Sequence, residues 1–444
     1  MPLFGTNGIR GILNETLEPE LAYKFGMAVA TYYDTGDVAV AYDNRTTSEI
    51  FKNMVHAGIL NAGKNVIDLG IVPAPAAQIY CKIHGIPGVM ITASHNPPEF
   101  NGLKVISVDG SNPGRDEEEK IEEIITKESY YRTTWDSVGR TKKDDAIEPY
   151  VDAVVKNVKQ NRIRGRRFRV LIDCANSTTS LTTPLILSRL GVKYVSLNSN
   201  LDGTFPGRRS EPSAESLNDM ITVAKAGDFD LSVAHDGDGD RSFFLDENGD
   251  AVDGDKFVAL IADHLLEERK GDLVFPVASS FLIDRIAEKH GVKVMRTAVG
   301  APVIASALNK YGGIMGGEEN GKVILPHHLN SGDGGLSLAL ILDLLSTTEL
   351  KFSELINRLP DYKIRRIKLQ NRNDFESIKE KLKNSYSDMK MDEIDGLRLV
   401  KGDSFILIRK SGTEPAIRIF ISSTDDEWIN SREREILDMI SKGM

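Results

Sequence analysis

Ser94 stands in the stretch Thr92-Ala93-Ser94-His95-Asn96-Pro97-Pro98-Glu99-Phe100-Asn101-Gly102-Leu103-Lys104, directly after the apolar run Gly88-Val89-Met90-Ile91. The run predicts a short buried strand and the polar stretch a loop that breaks from its end. Two prolines stiffen the loop, so Ser94 is held at the C-terminal end of a strand, where open α/β sheets bind ligands. Ser94 is thus a candidate nucleophile, with His95 and Lys104 able to supply a proton relay and a positive charge. A turn whose hydroxyls and amides merely cap local backbone groups is the alternative.

A second stretch, Asp236-Gly237-Asp238-Gly239-Asp240-Arg241, separates three carboxylates by glycines. Glycine lets the backbone curl so that hard oxygens converge on one point, which suits Mg²⁺. An EF-hand places Glu247 correctly at position twelve but needs glycine where Arg241 stands, and strands rather than helices flank the loop. A solvated acidic turn is the other reading, against which the mutual repulsion of three unpaired carboxylates counts.

Gly316-Gly317-Glu318-Glu319-Asn320-Gly321-Lys322-Val323 has the two glycines and the lysine of a Walker A loop. Val323 replaces its Ser/Thr, and two glutamates sit where phosphates would lie. Glu318 and Asn320 on such a turn suit sugar hydroxyls better, because both bond them directionally. Near the C-terminus, Arg409 and Arg418 bracket Ser411-Gly412-Thr413, whose hydroxyls and backbone N–H groups can wrap an anion. A hairpin with exposed charges is the plain alternative. Phe4-Gly5-Thr6-Asn7-Gly8-Ile9-Arg10-Gly11 opens the chain with one arginine among glycines, able to bring its fork close to a phosphate.

Together the motif Thr-Ala-Ser-His-Asn-Pro-Pro-x-x-Asn-Gly-x-Lys and the loops at 236–241, 316–323 and 409–418 resemble those of the α-D-phosphohexomutases, the phosphoglucomutase/phosphomannomutase family. The likeness runs in order from Phe4 to about Phe420. It implies a phosphoryl group carried on Ser94, and Mg²⁺ held by Asp236, Asp238, Asp240 and Ser94. Arg10 and Arg241 would face the ligand, Glu318 and Asn320 grip the sugar, and Arg409, Ser411, Gly412, Thr413 and Arg418 clamp the phosphate that is not reacting. The implied reaction interconverts a hexose 6-phosphate and 1-phosphate through a 1,6-bisphosphate, which also serves as activator. His95 joins a lysine or arginine near the serine as candidate general acid or base. The opening octapeptide and Ser-Gly-Thr-Glu-Pro resemble the phosphoglucosamine mutases most. Action on mannose or glucose phosphates is the alternative, and a metal-dependent sugar-phosphate phosphatase or a regulator with a dead site the more distant ones. One departure stands out: several relatives have a polar residue after a Val-Gly pair where this chain has Val299-Gly300-Ala301, and His327 and His328 are loop residues of uncertain use.

Alternating patterns position these loops. Helices are expected over Leu17 to Tyr33, Ser48 to Asn61, Ala74 to His84 and Asp116 to Lys127, and strands over Val38 to Tyr42 and Asn65 to Leu69. The same grammar returns in strand Phe168 to Asp173, helix Ser180 to Leu190, strand Lys193 to Leu197, helix Ala214 to Ala226 and strand Phe229 to Ala234. A third round runs from helix Asp255 to Glu268 through strand Val292 to Arg296 and helix Ala301 to Tyr311. The expected class is α/β: three similar domains with mixed, largely parallel sheets sandwiched by helices, plus a smaller α+β C-terminal domain. Boundaries are expected at 1–150, 151–252, 253–362 and 363–444, carrying the phosphoserine, metal, sugar and phosphate loops in turn.

A chain of 444 residues, 41% hydrophobic and 27% charged, buries a large core. Its formal charge of -10 argues against general nucleic-acid binding and requires any phosphate ligand to meet locally gathered Arg and Lys. The basic run Arg162 to Arg169 reads as a solvated domain junction. Cys81 and Cys174 read as reduced core residues. With neither a signal pattern nor a membrane-length apolar stretch, a soluble cytoplasmic protein is expected. Small sugar phosphates are its expected partners, a homodimer is allowed, and nucleic acid and membrane are not expected.

Overall fold

The computed structural model describes residues 3–5, 8–370, 375–411 and 416–441. Its first sheet contains β1 (Ile9–Ile12), β2 (Asp37–Tyr42), β3 (Asn65–Ile71), β4 (Gly88–Ile91), β5 (Phe100–Ile106) and β6 (Thr141–Lys143), in the order β1-β5-β4-β2-β3-β6. Strands β4, β2, β3 and β6 run parallel, and β5 lies antiparallel between β4 and β1. The Val38-Ala39-Val40-Ala41 run is buried throughout, as a parallel strand covered on both faces must be.

Phe100 to Lys104 was expected in the loop, whereas it forms the first part of β5, and only residues 92–99 connect the strands. Leu103 and Val105 are buried, and their pairing with β4 carries the strand straight out of the Pro97-Pro98 turn. Lys104 is therefore held by a sheet, a stiffer mounting than a loop.

The second sheet contains β7 (Arg169–Asp173), β8 (Lys193–Leu197), β9 (Leu231–His235) and β10 (Ser242–Leu245), ordered β10-β9-β7-β8, with β10 antiparallel to β9. The single helix expected over Ser180 to Leu190 is a 3₁₀ turn (Thr178–Leu181) followed by an α-helix (Thr183–Arg189) that has proline in its first turn. The helix expected from Ala214 begins at Asn218, because Ser213 and Ser216 bond each other's backbone and hydroxyl groups in a turn.

The third sheet contains β11 (Leu273–Pro276), β12 (Val294–Thr297), β13 (Met315–Gly317), β14 (Val323–Leu325) and β15 (Leu329–Gly332), ordered β12-β11-β13-β14-β15. The fourth contains β16 (Lys363–Gln370), β17 (Lys390–Asp392), β18 (Leu397–Lys401), β19 (Ser404–Lys410) and β20 (Ala416–Ser423), antiparallel throughout and ordered β16-β20-β19-β18-β17.

The helix Gly334–Ser346 binds the units together. It is apolar around most of its circumference and buries every residue except Leu344. Asp333 caps it by accepting the Leu336 amide and also accepts the Tyr150 hydroxyl at 2.7 Å. Tyr150 lies on the helix Ile147–Val155, which runs straight through residue 150. Part of the basic run is also helical: Gln160–Arg166 buries Ile163, and Arg162 pairs with Asp343 of the central helix at 3.0 Å. Cys81 and Cys174 are free, buried thiols. Among the described residues no helix is long and apolar enough to cross a membrane.

Candidate active site

The ends of β2, β4, β9 and β13 meet in one place, each delivering a loop that carries chemistry. From β4 comes Ser94, 1% exposed, with φ of +52°. That left-handed backbone costs an L-residue about 1–3 kcal/mol and persists only where its surroundings fix it. The Ser94 hydroxyl donates to Asp236 Oδ2 at 3.0 Å, and His95 Nδ1 lies 3.3 Å from Ser94 Oγ. Burial, followed by the nearby Arg241 and Arg10 charges, pushes His95 down to about 3, so its imidazole is neutral at pH 7.

Asp236, Asp238 and Asp240 leave the end of β9 with ligand oxygens within 4.8 Å of one another. All three are buried. Gly237 is needed for the approach to the serine loop, since a Cβ there would lie 2.5 Å from the Ser94 carbonyl oxygen. Each carboxylate meets a cation. Lys104 Nζ reaches Asp238 Oδ2 at 2.6 Å, Lys322 Nζ reaches Asp240 Oδ2 at 2.8 Å, and Arg241 Nε lies 3.7 Å from Asp240 Oδ1. Burial opposes the charge on Asp238 and Asp240, yet Lys104 for the first and Lys322 with Arg241 for the second hold both carboxyls below the usual range. Asp236 has only the more distant Arg241, whose Nε lies 4.0 Å from Oδ2. Burial and its two acidic neighbours push it well above the carboxylate range.

The buried oxygens Asp238 Oδ1 and Asp240 Oδ1 have no hydrogen-bond partner. Two orphaned oxygens in a cluster of three converging carboxylates are the donor set of a hard divalent cation. The residues present therefore fit a metal.

Arg10 reaches the site through the serine loop, donating from Nη1 to Asn96 Oδ1 at 2.7 Å. Arg241 also faces Glu211, at 3.6 Å, and feels the charge of Glu318 from the third sheet. The loop after β13 is tight: Lys322 O accepts the Glu318 amide, and Asn320 Oδ1 accepts the Lys322 amide. Glu319 pairs with Arg366 of β16 at 3.5 Å, linking this loop to the fourth sheet.

The candidate phosphate clamp stands apart. Arg409 and Arg418 face each other across β19 and β20, and Arg409 Nε donates to Asp395 Oδ2 at 2.7 Å. Asp395 also accepts the Val299 amide, which ties this domain to the third sheet. Among the described residues neither arginine bonds to the Ser94 loop. Ser411 donates its amide to the Ala416 carbonyl, and Gly412 and Thr413 lie outside the described residues.

The two histidines are structural. His328 bonds Asp333 and Asn157, and His327 bonds Asn157 and lies near Arg269. Ala301 starts the helix Ala301–Tyr311 and packs with Val274, Ile304 and Ile324 in a small core. Three site residues escaped the reading of the sequence: Asp43 and Arg45 after β2, and Lys322, known there only from a failed nucleotide motif. The signal for the first two is their place at the C-terminal end of a parallel strand, the end at which such sheets gather ligands.

Four family models match successive segments of the chain. They are described as phosphoglucomutase/phosphomannomutase alpha/beta/alpha domains I, II and III and C-terminal domain, over residues 1–132, 148–249, 253–362 and 365–439. A phosphoglucomutase/phosphomannomutase of Thermococcus kodakarensis is 41% identical, with 98% of this chain and 97% of that one covered. A phosphoglucosamine/phosphogalactosamine mutase of Sulfurisphaera tokodaii is 36% identical, with 99% of each covered. The crystal structure of a phosphoglucomutase/phosphomannomutase family protein from Burkholderia thailandensis superposes with a TM-score of 0.88 at 25% identity, covering 100% of this chain and 98% of that one.

Proposed function

The chain belongs to the phosphoglucomutase/phosphomannomutase family, and from that membership we propose that it interconverts the 6- and 1-phosphates of a hexosamine, glucosamine phosphate first. The observation that carries the reading is the Ser94 hydroxyl aimed at Asp236 in a loop of converging carboxylates. A phosphoryl group on Ser94 passes to the free hydroxyl of the sugar phosphate: the bond from phosphorus to Oγ breaks and a bond to the sugar oxygen forms. The resulting 1,6-bisphosphate turns round, and its other phosphoryl returns to Ser94. A free bisphosphate loads the serine at the outset and so acts as activator.

Mg²⁺ held by Asp236, Asp238, Asp240 and the Ser94 oxygen supplies charge stabilisation at the transferring phosphoryl. Around it, Lys104, Arg10 and Arg241 stabilise the charge on the equatorial oxygens. The neutral His95 imidazole, 3.3 Å from Ser94 Oγ, orients that oxygen by hydrogen bonding; held down to about 3 it is too weak a base to lead the proton transfer, and the attacking hydroxyl's proton ends on the departing Ser94 Oγ. Glu318 and Asn320 hold the sugar, and Arg409, Ser411, Gly412, Thr413 and Arg418 hold the distal phosphate.

Glucosamine is chosen on the names of relatives such as the Sulfurisphaera enzyme. The 41% identity to a phosphoglucomutase/phosphomannomutase supports the second reading, glucose or mannose phosphate. Phosphorus NMR tests both, with Mg²⁺, a catalytic amount of bisphosphate and a panel of glucosamine, glucose and mannose 6-phosphates. The 1-phosphate of glucosamine should appear fastest. Faster conversion of glucose or mannose phosphate would transfer the assignment to the second reading, and release of inorganic phosphate alone would replace both with a phosphatase.

A further inference from the structure

Four carbonyls in and beside the Ser94 loop accept from one side chain, Arg45. Arg45 leaves the end of β2 fully buried, and all five of its N–H groups are used. Nε donates to Asp43 Oδ2 at 3.0 Å, Nη2 to the carbonyls of Ser94 and Asn96 at 2.8 and 2.7 Å, and Nη1 to those of Pro97 and Phe100. Its outer face lies against the Phe205 ring, 4.9 Å from the centroid. Asp43 holds the other side of the serine. It accepts the Thr92 hydroxyl at 2.7 Å, and Thr92 Oγ1 in turn accepts the Ser94 amide at 2.9 Å.

Both peptide groups flanking Ser94 are thus tied to one ion pair at the end of a neighbouring strand. We infer that Asp43 and Arg45 are positioning residues for phosphoryl transfer, holding Ser94 in its left-handed conformation so that Oγ points at the metal loop. The inference rests on the reading of Ser94 as phosphoryl carrier.

Ser94 adopts φ of +52° without being glycine, so something outside the residue must fix it, and these bonds span it on both sides. Arg45 is neutralised by Asp43, so it acts through geometry rather than by adding charge to the site. Finally, four carbonyls and a carboxylate in fixed directions match the planar fork of a guanidinium, whereas a lysine ammonium has three donors and cannot span them. Arg45 also orders Asn96, whose side chain accepts from Arg10, so one anchor sets two members of the site.

A displacement of about 1 Å in a reacting group costs on the order of a hundredfold in rate. The test follows the phosphoryl group arriving on Ser94 in the intact, Mg²⁺-loaded protein mixed with glucose 1,6-bisphosphate, by rapid quench and intact mass. Arg45→Lys and Thr92→Val should each slow the transfer by about 10- to 100-fold while the affinity for bisphosphate changes by less than about threefold. Thr92→Ser, which keeps the hydroxyl, should restore the rate lost in Thr92→Val. Should Arg45→Lys fail to fold, Thr92→Val decides alone, since valine matches threonine in volume. Transfer at the wild-type rate in Thr92→Val, or a loss accounted for by weaker bisphosphate binding, overturns the inference. A wild-type protein that takes no phosphoryl from bisphosphate overturns the functional reading beneath it, a result distinct from either.

Discussion

The ammonium of Lys322 lies 2.8 Å from Asp240 Oδ2, and both groups are buried. The lysine belongs to the loop after β13 and the aspartate to the loop after β9, so the contact joins the candidate sugar loop to the candidate metal loop. Removing one partner of a buried pair strands the other charge, at a cost of about 3–5 kcal/mol. Lys322→Met should therefore lower the melting temperature markedly in chelator. With Mg²⁺ at saturation the loss should shrink, because the cation then neutralises Asp240. Equal losses in the two conditions would show that the three aspartates do not hold a metal.

The aspartates themselves should matter more to chemistry than to folding. Asp236→Asn removes a ligand carboxylate from the one member of the three that pairs with no lysine, so no buried ammonium is stranded. Turnover should fall by at least about a hundredfold, as expected for loss of a charge-stabilising group in phosphoryl transfer. The melting temperature of the metal-free protein should change little. Undiminished turnover in the wild type after exhaustive chelation would remove the metal from the account.

On the proposed reading, Glu318 holds a sugar that must bind in two orientations. The 3- and 4-hydroxyls nearly superpose when C1 and C6 exchange places, whereas the 2-substituent does not. Glu318→Gln should lower kcat/KM for glucosamine, glucose and mannose phosphates by similar factors, about ten- to a hundredfold each. A loss confined to glucosamine phosphate would mean that this glutamate reads the amine.

Asp255 gives the fold a pH dependence outside the site. Burial, then the charges of Glu319 and Asp253, push its carboxyl up to about 7, and the Tyr362 hydroxyl bonds both Asp253 and Asp255 where the chain enters the fourth domain. Because the folded-state value is raised, the native state holds a proton that the unfolded chain releases. This contribution is present in full below the usual carboxylate range and is lost as pH rises towards 7. Asp255→Asn keeps the shape without the ionisation. Its stability relative to wild type should climb between about pH 4 and 7, by at most about 1.4 kcal/mol per pH unit. A flat difference across that window would place the Asp255 proton elsewhere.

Much of this was legible in the sequence, for a physical reason. Ser94 and the three aspartates lie in short contiguous stretches at the ends of apolar runs, so strand, loop and chemistry are written side by side. The parallel sheets followed from runs such as Val38 to Ala41, whose continuous hydrophobicity matches burial on both faces. Arg45 was passed over because its place at the end of β2 was its one local signal: its meaning comes from carbonyls some fifty residues away. Lys322 was passed over with the nucleotide motif it failed to complete, and only the tertiary fold brings it to Asp240. No strand was read at β5, because Asn101, Gly102 and Lys104 look like loop residues until pairing with β4 and β1 is seen.

The central claim is that Ser94 carries the transferred phosphoryl group. Intact-mass analysis of the protein after incubation with Mg²⁺ and glucose 1,6-bisphosphate tests it most directly, with peptide mapping to locate the modification. The account predicts one added phosphoryl on Ser94, its discharge on adding sugar monophosphate, and neither event in Ser94→Ala. Full mutase turnover by Ser94→Ala, or a phosphoryl group mapped to any other residue, would contradict it.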